Sequence, residues 1–298
     1  MRYIWKHLTA FAREDFSPRR YMMAALWTLI LIVLNYSFSI EDDILAPLDG
    51  TLPGYGLYLL LYGGAYVPVL LLSTRNNRKL GIWALVGLLI LTWDCSWTAY
   101  RSYADRWIQH PDYFWFWKMA QQLQSLLTTL VPLLLLYPWL SQGTGFYGLR
   151  WDASVKLRPY LLMLAIMVLP VALAATTEGF QQAYPSWARV FHWPEQRGQI
   201  LTYELAYGWD FVATELMFRG FFVVALARLG GTQVVLPATV MYCALHFGKP
   251  LGECISSIFG GYILSALAYR TQNIWGGVIV HIGIAFLMDF FAVLMRGL

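Results

Sequence analysis

"FVATELMFRGFF", residues 211–222, decides how this chain is read. The stretch lies inside an apolar run, 201–229, long enough to cross a bilayer, yet it sets Glu215 and Arg219 among side chains suited to lipid. The two are spaced i, i+4, so on a helix they share one face within salt-bridge reach. An ionisable group at membrane depth costs several kcal/mol unless it is paired or faces water. Two readings follow. In one, the pair is structural and locks this helix to its neighbours. In the other, Glu215 is a general base acting on water, and Arg219 holds it ionised and oriented.

Working outward, apolar runs recur at 21–40, 56–73, 80–98, 114–140, 159–176, 201–229, 234–247, 251–269 and 274–295. The chain has 298 residues, 58% of them hydrophobic and 13% charged, with a mean hydropathy of +0.51. A soluble domain carries about 25% charged residues. The pattern predicts an all-α polytopic membrane protein with about eight transmembrane helices, and charges at membrane depth are tolerated where the helices enclose a polar cavity. The count is eight or nine, because 234–247 is short enough to be either a full or a shallow span.

The first 20 residues carry Arg2, Lys6, Arg13, Arg19 and Arg20, and the loop after the first span carries Glu41, Asp42, Asp43 and Asp49 without a cation. Arg75, Arg78 and Lys79, and later Arg150, Lys156 and Arg158, mark further turns on the N-terminal side. The positive-inside rule then predicts a multi-pass cell-membrane protein with a cytoplasmic N-terminus. The net charge of +4 follows from these juxtamembrane residues and gives no reason to expect a nucleic-acid partner. Cys95, Cys243 and Cys254 show no metal or disulfide spacing. The expected organisation is a basic segment at 1–20, scaffold helices at 21–140 and a functional core at 141–298. The loop 177–200 is expected outside the cytoplasm, with a short surface helix.

Ionisable residues within the spans concentrate in the second half. His246 closes "YCALH" ahead of the breaker "FGKP", and His281 sits early in the last span. Imidazole acts as base, acid or metal ligand near neutral pH. With Glu215 these form one carboxylate and two histidines on three helices, the catalytic candidates. Such a set also resembles a metal site in its donors, but no HExxH spacing supports zinc, and no cofactor is expected. Glu253 and Asp289 are orienting or structural candidates: "FGKP" separates Glu253 from His246, and Asp289 follows His281 on about the same face. Asp210, five residues before Glu215, points elsewhere on its helix.

In this order the residues resemble the CPBP family of intramembrane proteases (CAAX proteases and bacteriocin-processing enzymes, also called Abi). "TELMFRG" resembles its EExxxR motif at Thr214, Glu215 and Arg219. "YCALH" resembles FxxxH through Tyr242 and His246, and "HIGIA" resembles HxxxN through His281. "FYGLRW" and "YRTQNIWGGVIVH" resemble the family's approach to its core. The resemblance implies about eight helices around a cavity and hydrolysis of a peptide bond by glutamate-activated water. It further implies that His246 helps polarise the water and His281 stabilises the oxyanion, with Arg219 pairing to Glu215. Two positions depart from the family pattern: Thr214 replaces the usual water-activating glutamate, and Ala285 replaces the asparagine.

The implied partners are the lipid bilayer and a peptide or membrane-protein substrate, lipidated substrates included. Besides a protease, the chain reads as a pseudoprotease that binds such a partner without cutting it. A small transporter is the third reading, disfavoured by the absence of a duplicated half.

Overall fold

The structure, a computed structural model, describes the chain apart from residues 74–76, 110–111, 141–142, 144, 153–154, 190, 192–194 and 298, and the side chain of residue 189. Arg75 of the basic turn therefore lies outside the described residues. The rest is 84% helical, and the described residues contain no strand, only an isolated bridge between Phe146 and Leu149.

Fourteen α-helices follow one another among the described residues. They are α1 (Arg2–Asp15), α2 (Pro18–Phe38), α3 (Leu52–Ser73), α4 (Arg78–Ser96), α5 (Ala99–Trp107), α6 (Tyr113–Leu123) and α7 (Val131–Leu140), then α8 (Leu157–Ala174), α9 (Glu178–Ala183), α10 (Arg197–Glu215), α11 (Ala227–Gly230), α12 (Val235–Ala244), α13 (Leu251–Thr271) and α14 (Trp275–Arg296). They contribute eight candidate membrane spans, with α10 to α12 counted as one continuous stretch, Arg197–Ala244. The short run at 234–247 is thus α12, ten residues long and stacked on the end of its predecessor. Leucines such as Leu161, Leu169, Leu173 and Leu205 are exposed, as befits helices whose outer faces meet acyl chains.

α10 does not stop at Glu215. It continues as a π-helix over Leu216–Ala225, a wider turn often found at functional sites, and every residue of that segment is buried. Gly220 lies in it because a Cβ there would sit 2.9 Å from the Tyr147 carbonyl oxygen. The loop "FYGLRW" docks at that contact. Its Gly148 carbonyl accepts from the Ile274 amide (3.1 Å), and its Arg150 carbonyl accepts from Asn273 Nδ2 (2.8 Å). One loop therefore sets both the π-segment and the start of α14.

The first half of the chain holds the turn after α12. Asn35 Nδ2 donates to the Phe247 carbonyl (3.1 Å), and the Tyr36 hydroxyl donates to the Lys249 carbonyl (2.6 Å). The segment joining α8 to α10 is not a loose surface loop, since Phe180, Tyr184, Trp187 and Phe191 are all buried.

Candidate active site

Glu215 and Arg219 have no exposed surface. Arg219 Nη1 stands 3.1 Å from Glu215 Oε1, an ion-pair distance whose angle falls short of a hydrogen bond. The guanidinium also lies over the Tyr242 ring, 4.1 Å from its centroid. At that spacing a cation gains from the ring's electron-rich face, which partly replaces the water it has lost.

Glu215 Oε1 accepts a second contact, from His281 Nδ1 at 3.0 Å. The carboxylate offers no proton, so Nδ1 carries the hydrogen. On the far side of the imidazole, Nε2 lies 3.1 Å from the Tyr242 hydroxyl. Glu215, His281 and Tyr242 thus form an unbroken polar line across α10, α14 and α12. Gly277 makes room for it: a Cβ at that position would lie 2.2 Å from Glu215 Oε2.

His246 occupies the other side of Tyr242. Its Nδ1 donates to the Tyr242 carbonyl (2.9 Å), which leaves Nε2 as the nitrogen with the free lone pair. Its ring centroid is 4.6 Å from that of Tyr242, and that of His281 is 6.0 Å away. The three groups singled out from sequence therefore meet around one tyrosine.

Asp210, Thr214, His246 and His281 all keep some accessible surface, while Glu215 and Arg219 keep none. Thr214 immediately precedes the sealed carboxylate on α10. Asp210, one turn before Thr214 on α10, stands on the same face, within electrostatic reach of Asp94 and Lys249. Ala285 is buried one turn beyond His281. Glu253 accepts the Tyr184 hydroxyl on both carboxylate oxygens, each at 2.9 Å, and Asp289 lies near Glu204, both away from the imidazoles. Among the described residues no three His, Cys, Asp or Glu side chains converge as metal ligands.

Residues 198–287 match the family model described as type II CAAX prenyl endopeptidase Rce1-like. Over these residues the chain is Rce1-like. The Rce1-like segment holds Thr214, Glu215, Arg219, Tyr242, His246, Glu253 and His281, and Asp289 falls two residues beyond it. At family level the match supports a CAAX-protease-like intramembrane protease, and the eight apolar helices make the chain a multi-pass membrane protein. No curated protein and no solved structure matches the chain.

Two residues carry more here than their spacing to Glu215 suggests. Asp210 points away from Glu215 on its helix, but its i, i+4 spacing puts it on the face of Thr214. Tyr242, an orienting or structural candidate where the resembled motif has phenylalanine, joins the line from Glu215 through its hydroxyl.

Proposed function

We propose that this chain is an intramembrane peptide hydrolase in which His246 deprotonates the attacking water and the Glu215–His281–Tyr242 line polarises the substrate carbonyl. The supporting observation is that line itself, 3.0 Å and 3.1 Å in its two links, with His246 turned by its carbonyl bond to present a bare Nε2. Water adds to the carbonyl carbon and gives its proton to His246 Nε2. As the oxyanion forms, the Tyr242 hydroxyl turns its hydrogen from His281 Nε2 to the oxyanion, while Glu215 keeps His281 in place. On collapse the C–N bond breaks, and His246 returns the proton to the departing amine. Glu215 acts through His281, since Arg219 and His281 crowd Oε1 and no water reaches the sealed carboxylate. The peptide substrate, from the membrane or its surface, lies in the cavity beside Thr214. Glu215 Oε1 and His281 Nδ1 are spent on one another and His281 Nε2 on Tyr242, and this reading assigns no step to a metal. The basic N-terminal segment lies in the cytoplasm, and the membrane is the cell membrane.

The test is hydrolysis of membrane-proximal peptides by the purified protein in nanodiscs. His246→Ala and His281→Ala are expected to abolish turnover and Glu215→Gln to reduce it by about a hundredfold or more, with strong chelation harmless. Full activity in His246→Ala would end the base assignment, and loss on chelation with rescue by zinc would end the metal-free mechanism. The sealed state of Glu215, with Thr214 beside it, supports one second reading, a cavity that binds peptide without cutting. Tight binding by wild type with no turnover of any peptide would select it.

A further inference from the structure

On the membrane face opposite α1, the segment between α8 and α10 folds onto the ends of α10, α13 and α14. Tyr184 donates to both oxygens of Glu253 there, and the Lys249 ammonium lies 5.5 Å from the Tyr184 ring centroid. Tyr203 meets Ser186 Oγ at 2.6 Å and stacks on Tyr207, with centroids 5.8 Å apart and planes 18° apart. Asp289 and Glu253 both act electrostatically on Tyr207 and Tyr184, so these groups share one small volume.

Asp289 is the unexplained member. It is 4% exposed, and among the described residues neither of its oxygens has a regular hydrogen-bond partner. Its polar neighbours are the Glu204 carboxyl and the backbone of Ser186. The cations nearby are Lys249 and Lys118, the latter 5.9 Å from the Tyr203 ring. They stand against Glu204, Glu253 and Asp289, with Asp210 one turn closer to the histidines. A buried acid set against the Glu204 carboxyl and walled by phenol rings is suited to an ammonium or guanidinium, which takes charge from the acids and the ring faces together.

An aromatic ladder joins this place to the catalytic groups. Tyr203, Tyr207 and Phe211 follow at i, i+4, i+8 on α10. The Tyr207–Phe211 centroids are 4.7 Å apart, and Phe211 lies 4.4 Å from the His281 ring. Eight helical residues span ~12 Å, the reach of three or four residues of extended peptide at ~3.3 Å each.

We propose that Tyr184, Tyr203, Tyr207, Glu204, Glu253 and Asp289 form a subsite for a cationic side chain of the substrate, three or four residues from the bond attacked. The inference rests on the hydrolase reading for its second clause only. The subsite faces the side opposite the basic N-terminal segment, so the substrate presents its lysine or arginine from that side.

The test uses the full chain in nanodiscs of neutral phosphatidylcholine and two N-acetylated, C-amidated apolar peptides that differ only in one central Lys or Gln. Wild type is expected to bind the Lys peptide about tenfold tighter than the Gln peptide. In Asp289→Asn and Glu204→Gln that preference should fall to about twofold or less, and in Lys249→Gln, which removes a competing cation, it should grow. Equal affinities in wild type, or a preference unchanged in Asp289→Asn, would overturn the subsite. Should Asp289→Asn not fold, the exposed Lys249→Gln decides, and an unaltered preference there overturns it. Charge-selective binding without cleavage would remove the hydrolase reading and keep the subsite. Cleavage blind to charge would do the reverse.

Discussion

Arg219 sits between the Glu215 carboxylate and the face of Tyr242, with no exposed surface of its own. Arg219→Ala would leave Glu215 buried beside only an imidazole, so we expect a loss of roughly 3–5 kcal/mol, read as a lower melting temperature and yield. Normal stability would mean that Glu215 has a wetter setting than its geometry indicates. Tyr242 supports a sharper expectation, because Tyr242→Phe removes one oxygen while keeping the ring that carries Arg219. Folding should survive, kcat should fall by about 10²-fold, and KM should hardly change. An unchanged kcat would take the hydroxyl out of the mechanism. At this scale the sequence was legible where spacing alone decides, as in the Glu215–Arg219 pair. It was not legible for Tyr242, whose hydroxyl matters only because α14 happens to bring His281 Nε2 within 3.1 Å.

The turn after α12 is held from the far end of the chain. Asn35 and Tyr36 bind its carbonyls, and Glu41 packs against Gly248 while receiving the Tyr58 hydroxyl at 3.2 Å. Burial pushes the Glu41 carboxyl up to about 7 from its usual 4.5. A raised carboxyl pKa favours the protonated folded state, so this group's contribution is greatest below pH 4.5. It declines as pH rises and levels off above about 7, with up to about 3 kcal/mol involved. Glu41→Gln should therefore melt higher than wild type at pH 8 and about the same at pH 4. A constant difference between the two pH values would assign the effect to something other than titration. The apolar runs gave the helices away, since each run of 18 or more residues is a span in the structure. The π-segment at Leu216–Ala225 has no such signature, because its period depends on the loop docked at Gly220 and not on local propensity.

Across the whole molecule, cations outnumber acids at the helix ends near α1, while the opposite ends mix acids with Arg101, Arg197, Lys249 and Arg296. Arg2, Arg13, Arg78, Lys156, Arg228 and Arg270 stand at the helix ends near α1, and Asp49, Asp112, Glu178, Glu204, Glu253 and Asp289 at the opposite ends. A cysteine placed at Glu178 should react with an impermeant maleimide in intact cells and one placed at Arg2 should not; the reverse pattern would invert the orientation. Overall topology was readable because lipid imposes one rule on every span. The depth of the site was not, because it depends on how α10, α12 and α14 are offset along the membrane normal.

α1 has a consequence for how the protein is made. Phe11 is fully buried between Tyr262 and Tyr269 of α13, with ring centroids 6.0 Å and 5.5 Å away, and Glu14 pairs with Arg270 at 2.9 Å. During synthesis this helix emerges some 250 residues before its partner, and until then its apolar face has only the headgroup region to lie in. A helix translated well before its partner is therefore among the last to reach its final place. A ribosome stalled after α12 should leave α1 open to proteases, and completion of α13 should close it.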